Sequence, residues 1–487
     1  MVTRRVFRAC CVAFCLVAMG GAGFGQALDD ATWAKVQVEV HRVMQASGVP
    51  SAQVGIARDG KVVYTAAFGA ARLRSDGTTE IAATPSMHYA VGSISKQFTA
   101  ACILLLVEDG KMSLDDPVSK WFPELTRANE VKVRNLLTHT SGYSDYAPQD
   151  YTIPTWTKPT KPIDVVHEWA GKPLDFDPGT KWQYSNTNFE LAGLIVEKVS
   201  GQPFWQFLES RVLKPLELKE VLDLDTERDR MEPQGYMRNA LGPLRPAILE
   251  APGWYFADGA LAMPAQTLLD WDLSMINRSL LKPASYDVLE TEMKLKDGTG
   301  TQYGLGVDVL TRDGHRVIEH DGEVGGFVAA NVVYPDDKVA VVVLTNQEAN
   351  PAAVVMARAI AKVLVPAEAT AEGKPAATGA AAATKPENPT AEAQAKQILA
   401  GLQKGKLDRN LLTKNCNFYF SKQVIGDFAS SLAPLGEVQS VTMQSQSLRG
   451  GMTFRSFQVA FAGKNVRLTT FTTPDGKIEQ FLVEPVS

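Results

Sequence analysis

At 487 residues the chain is too long for one compact core, and it implies about two to three domains. Apolar residues make up 45% and charged residues 21%, a globular balance that excludes wholesale disorder. The net charge is -5, with no Lys/Arg cluster beyond the extreme N-terminus, so no nucleic-acid partner is expected.

Arg4, Arg5 and Arg8 flank an apolar stretch from Ala9 to Met19, and small residues then lead to a cleavage position after Gly25 or Ala27. Residues 1-27 therefore read as an export signal, and the mature protein as periplasmic or secreted. A retained N-terminal anchor is the alternative. The apolar run is shorter than the ~20 residues that cross a bilayer, so no stable membrane span is expected. Cys10, Cys11 and Cys15 fall in this segment. Only Cys102 and Cys416 follow it, which excludes a disulfide framework and a cysteine-ligated zinc site.

Ala52 to Arg58 and Lys61 to Ala66 read as strands joined through Asp59-Gly60, a favoured two-residue hairpin turn. Next comes Val91-Gly92-Ser93-Ile94-Ser95-Lys96, where Ser93 opens a helix whose continuation, Phe98 to Val107, is almost wholly apolar. Ser93 and Lys96 share a face one turn apart. A lysine desolvated there becomes a base near neutral pH, and free amides at the helix start can stabilise an oxyanion. The same segment reads equally as an N-cap serine beside a solvated lysine. A second Ser-x-x-Lys, Ser279 to Lys282, lacks this context.

Tyr184-Ser185-Asn186 is the one Tyr-x-Asn in the chain. A phenol near a lysine can transfer protons, and an Asn side chain can orient both lysine and substrate amide. His320-Asp321-Gly322-Glu323 follows a strand expected over Arg316 to His320. There a glycine lets a substrate lie against the strand edge, while a following amide points at its carbonyl. Taken alone, each segment reads as an ordinary loop or glycine-rich turn. Further strands, Gly326 to Tyr334 and Val339 to Leu344, and an amphipathic helix, Ala352 to Val365, complete the first region. Strands at both ends with helical sequence between them give an α+β fold, an antiparallel sheet flanked by helices with an all-helical insertion.

Residues 366-392 are rich in Ala, Pro, Thr and Glu, without apolar periodicity, and read as a linker. Beyond it, a helix from Ala393 to Lys404 and four strands between Val441 and Val483 form a small α+β domain over 393-487.

In this order and company, the Ser93, Tyr184 and His320 segments resemble the three active-site motifs of the serine β-lactamase-like family. That family includes class C β-lactamases, DD-peptidases (penicillin-binding proteins), D-aminopeptidases and related esterases. Leu136-Leu137-Thr138-His139-Thr140-Ser141-Gly142 and the Pro117 to Pro123 segment match as accessory motifs, and the likeness spans a catalytic domain over 28-365. The resemblance implies that Ser93 is the acylated nucleophile, Lys96 its proton acceptor, and Tyr184 the group that protonates the leaving atom. Asn186 would hold Lys96 and the substrate amide, and His320 and Gly322 would line the opposite wall. The amides of Ser93 and Glu323 would form the oxyanion hole, and His139 would be structural. No cofactor is expected.

One departure stands out. Many members carry Lys-Thr-Gly at the third motif, whereas here His320 stands beside Asp321 and Glu323. Like charges at ~4 Å and an effective dielectric of ~20 repel by about 4 kcal/mol. A neutral ester or amide is therefore the expected substrate, and a non-catalytic penicillin-binding-like sensor the rival reading. The C-terminal domain loosely resembles folds related to nuclear transport factor 2, which serve as binding or dimerising modules.

Overall fold

The computed structural model describes residues 28–367 and 388–486; the expected export signal and most of the expected linker lie outside these residues. Seven strands form an antiparallel sheet in the order Thr79–Ala82, Lys61–Leu73, Ser51–Arg58, Val339–Thr345, Phe327–Tyr334, His315–Val324, Asp308–Arg312. The first hairpin turns at Asp59 and Gly60, both at positive φ (51° and 76°), as its turn residues predict. Val339–Thr345 is buried along its whole length because it lies centrally, with helices on both faces.

The helices Asp30–Ser47 and Ala352–Leu364 cover one face with a core of Val36, Val40, Val54, Val341, Met356 and Ile360. The other face packs on Ala265–Asn277 and the buried helix Ser95–Glu108. A polar chain fixes that second helix to the sheet. The Gln97 amide donates to Asn331 Oδ1 (3.1 Å), Trp271 Nε1 donates to Gln97 Oε1 (2.7 Å), and Asn331 Nδ2 donates to Asp272 Oδ1 (2.7 Å). Each member is buried and hydrogen-bonded, which restricts the helix to one register on the sheet.

The intervening stretch is carried mainly by helices, notably Pro162–Ala170, Asn186–Ser200 and Ala265–Asn277. Short strands accompany them at Leu222–Asp223, Tyr236–Arg238, Leu244–Pro246 and Leu261–Met263, so the insertion is not wholly helical. No helix among the described residues is long and apolar enough to cross a membrane.

The C-terminal unit has helices Pro389–Leu402, Lys414–Tyr419 and Lys422–Leu432, and a four-stranded antiparallel meander ending in Ile478–Pro485. It is docked on the larger unit. Arg245 makes a bidentate pair with Asp427 (both 2.7 Å), the Gln149 amide donates to Glu479 Oε1 (2.7 Å), and the Tyr151 hydroxyl donates to the Glu479 carbonyl (2.8 Å). Ala240 enters the C-terminal core itself. Cys102 and Cys416 are free and fully buried in different cores.

Candidate active site

Gly92 adopts a positive φ of 51° and starts a short 3-10 turn, Gly92–Ile94, that runs into Ser95–Glu108. This turn backs against the strand His315–Val324 at two glycines. A Cβ on Gly322 would stand 1.9 Å from the Val91 carbonyl oxygen and 2.8 Å from the Ser93 amide. A Cβ on Gly92 would stand 2.6 Å from the Glu323 amide. Gly322, expected to line the wall opposite Ser93, thus turns the side where a Cβ would stand towards the nucleophile turn. The same packing makes the Ser93 and Glu323 amides neighbours.

Lys96 is fully buried. Its Nζ lies 3.0 Å from Ser93 Oγ, 2.7 Å from Asn186 Oδ1 and 2.9 Å from the Asp258 carbonyl oxygen. Burial pushes its pKa down to about 8, against the pull of Asp258, Asp145 and Glu190. A neutral amine has two hydrogens, which the Asn186 and Asp258 oxygens can accept. Its lone pair then faces the Ser93 hydroxyl, the geometry needed to take that proton.

Tyr184 is half-buried beside Lys96, whose Nζ is 5.1 Å from the ring centroid. Burial raises the phenol well above its ordinary value, while the Ser93 side chain and Arg449 oppose the shift. His139 lies beneath Tyr184, with ring centroids 4.2 Å apart, and its Nδ1 accepts from the Ser185 amide (3.2 Å). Burial holds it well below the usual histidine range. It supports the phenol as a neutral ring.

Asn186 opens the helix Asn186–Ser200, and Asp145 takes the role that a capping side chain would play. Its Oδ1 accepts from the Asn186 amide (2.9 Å) and the Ala147 amide (3.1 Å). His320 faces the site from the sheet. Its Nε2 meets the Tyr303 hydroxyl at 2.9 Å and its Nδ1 meets the Asp321 carbonyl, so the ring is tied at both nitrogens. Burial depresses its pKa, against the influence of Asp321. Glu323 is exposed, and its Oε1 accepts from the Ala349 amide (2.7 Å).

Ser93, Tyr184, Asn186, His320 and Glu323 line one cavity of about 190 Å³. Gly322 stands behind its wall and Lys96 beneath its floor. The second Ser-x-x-Lys is elsewhere: Lys282 is exposed and reaches the Glu108 carbonyl. Asp145, Asp258, Tyr303 and Arg449 were not marked by any local pattern, and all four touch the constellation.

The Beta-lactamase family profile matches residues 37–365, about two thirds of the chain. The chain belongs to the β-lactamase family. It is thus a serine hydrolase by class. Among its β-lactamase-family relatives, a putative penicillin-binding protein PbpX from Bacillus subtilis (strain 168) is 27% identical over 61% of this chain and 70% of its own length. Protein flp of Staphylococcus aureus (strain MW2) is 26% identical over 64% of this chain but only 62% of its own length. A D-stereospecific amidohydrolase from Streptomyces sp. superposes with a TM-score of 0.58 at 27% identity, covering 69% of this chain and 99% of its own. An octameric penicillin-binding protein homologue from Pyrococcus abyssi superposes with a TM-score of 0.60 at 22% identity, covering 93% of this chain and 99% of its own; at that identity it speaks to fold alone.

Proposed function

We propose that this protein is an exported hydrolase that opens a small ester or amide through an acyl-enzyme on Ser93. The observation that carries the reading is the 3.0 Å approach of the buried Lys96 amine to the Ser93 hydroxyl, with two further oxygens set to receive the amine hydrogens. Ser93 Oγ adds to the carbonyl carbon as its proton passes to Lys96 Nζ. The carbonyl oxygen takes the charge beside the Ser93 and Glu323 amides. Tyr184 then gives a proton to the leaving oxygen or nitrogen, the bond to the acyl carbon breaks, and the phenol is reprotonated through Lys96. Water follows the same path in reverse and frees Ser93.

Acidic side chains of Asp150, Glu250 and Asp321 rim the cavity, which disfavours an anionic substrate and suits an amino-acid amide or an uncharged ester. The likeness to the D-stereospecific amidohydrolase supports including D-amino-acid amides. A fluorophosphonate probe is expected to label the wild type and not Ser93→Ala. A panel of short esters, D-amino-acid amides, D-Ala-D-Ala peptides and a chromogenic cephalosporin then ranks substrates. Equal or better turnover of the cephalosporin than of the esters would overturn the neutral-substrate assignment, and labelling without turnover of anything would favour a sensor.

The pH profile supplies a separate check. With Lys96 at about 8, the neutral amine forms as pH rises, so kcat/KM should climb through pH 8 and level above it. At pH 7 about one tenth of molecules would be competent. A flat profile between pH 6 and 9 would remove Lys96 as the base.

A further inference from the structure

The hairpin joining Ser440–Arg449 to Met452–Ala460 belongs to the C-terminal unit, yet its tip rests on the Ser93 site. Arg449 pairs directly with Met452, which leaves Gly450-Gly451 as a two-residue turn. Both glycines have positive φ (57° and 71°), the combination that side chains avoid. At Gly450 a side chain is also excluded sterically: a Cβ would meet Pro148 Cγ at 2.9 Å and the Asp145 carbonyl oxygen at 3.2 Å. The bare turn lets the tip lie directly on the loop that carries Asp145.

Arg449 then reaches inward. Its Nε donates to Asp145 Oδ2 (2.8 Å), its Nη2 donates to the Ala147 carbonyl (3.1 Å), and its guanidinium carbon lies 5.0 Å from the centroid of the Tyr184 ring. Through Asp145 it joins a continuous path. Asp145 accepts from the Asn186 amide, Asn186 Oδ1 accepts from Lys96, and Lys96 meets Ser93. Among the described residues, no other arginine and no lysine lines the catalytic cavity wall.

We propose that Arg449 is a positioning residue of the acyl-transfer site, so that this site is complete only when the C-terminal unit is docked. The inference rests on the hydrolase reading above. Docking alone gives no reason for the arrangement, because Arg245–Asp427, Gln149–Glu479 and Tyr151–Glu479 already hold the two units together. A planar cation 5.0 Å from the phenol ring centre, its fork spanning Asp145 Oδ2 and the Ala147 carbonyl, holds Tyr184 directly and Asn186 through Asp145. Its charge also acts on Lys96. Facing that amine are the acids Asp258, Asp145 and Glu190, the Tyr184 phenol, the rings of His139 and His320, and Arg449. The acids favour the ammonium form, and Arg449 is the group that opposes them and neutralises Asp145.

The test compares full-length Arg449→Gln, Arg449→Lys and Asp427→Asn with the wild type. The rate of fluorophosphonate labelling is followed from pH 6 to 10, alongside kcat and KM for the best ester. Ser93-dependent labelling together with wild-type turnover of the ester tests the hydrolase reading independently, so the ratios among the variants carry only the Arg449 inference. Arg449→Gln is expected to label at least about ten-fold more slowly at pH 7, with the acid limb moved up by about one unit. Arg449→Lys should keep the wild-type limb while lowering kcat more than it changes KM, since it restores charge without the fork. Asp427→Asn removes one docking pair while Gln149–Glu479 and Tyr151–Glu479 keep the unit in place, and should leave the limb unmoved. An unmoved limb in Arg449→Gln, or wild-type kcat in Arg449→Lys should the glutamine variant fail to fold, overturns the proposal.

Discussion

Lys96→Met is expected to slow acylation of Ser93 by about 10²–10⁴ at neutral pH while leaving a folded protein. Methionine matches the lysine stem in length and suits a fully buried site, so packing is largely retained. What disappears is the amine 3.0 Å from Ser93 Oγ. The Asn186 and Asp258 oxygens lose their donor as well, at a cost of about 1–3 kcal/mol for each group left unpaired. Both effects are measurable separately: single-turnover labelling reports the base, and thermal melting reports the unpaired oxygens. Wild-type labelling in Lys96→Met would show that Ser93 is deprotonated by another group.

Gly322→Ala is expected to disable the site by a different route. Its new methyl would stand 1.9 Å from the Val91 carbonyl oxygen and 2.8 Å from the Ser93 amide, and neither contact is a flexible side chain that can step aside. The strand must move away from the nucleophile turn, or the turn from the strand. Either movement separates the Ser93 and Glu323 amides, and misplacement by about 1 Å can cost 10²-fold in rate. Overpacking of this kind typically destabilises by about 1–3 kcal/mol. Gly426→Ala is the matched control. It lies inside the helix Lys422–Leu432 with nothing within 4 Å of the added methyl, and should leave activity unchanged and stability equal or higher by about 0.5–1 kcal/mol. Equal activity in Gly322→Ala and the wild type would mean that the close packing behind Ser93 is dispensable.

The parts of this fold that were readable in the sequence are those governed by local chemistry. Asp59-Gly60 announces its hairpin because few other residues tolerate two positive φ angles in succession. Val339–Thr345 announces itself as a strand through its run of Val and Leu, which suits the burial on both faces that its central place imposes. Extents were less legible. Lys61–Leu73 continues seven residues past Ala66, through Ala, Phe and Gly, because Ser51–Arg58 and Thr79–Ala82 supply pairing partners that its composition does not advertise. His315–Val324 likewise continues through Asp321, Gly322 and Glu323, where polar residues and a glycine resemble a turn; pairing with Phe327–Tyr334 overrides that tendency. Among the short strands of the intervening stretch, Leu222–Asp223 and Leu261–Met263 depend on pairing between segments distant in the chain.

The site divides along the same line. Ser93 and Lys96 are legible because one helical turn joins them. Tyr184 and Asn186 are legible because the start of a helix does. Asp145, Asp258 and Tyr303 carry no such spacing, and Arg449 lies 304 residues from the aspartate it pairs with. Only the folded chain reveals them. The C-terminal unit was expected as a binding or dimerising module, and no motif in its own sequence pointed towards the serine.

The pairing of Arg449 with Asp145 has a temporal consequence. During translation the larger unit leaves the ribosome first and can begin to fold while the last stretch is still being made, since domains generally fold as units from the N-terminus. Ser93 and Lys96 would then have met before their arginine existed. A nascent or prematurely terminated polypeptide therefore carries the nucleophile without its full setting, and the completed arrangement arrives only with release of the finished chain.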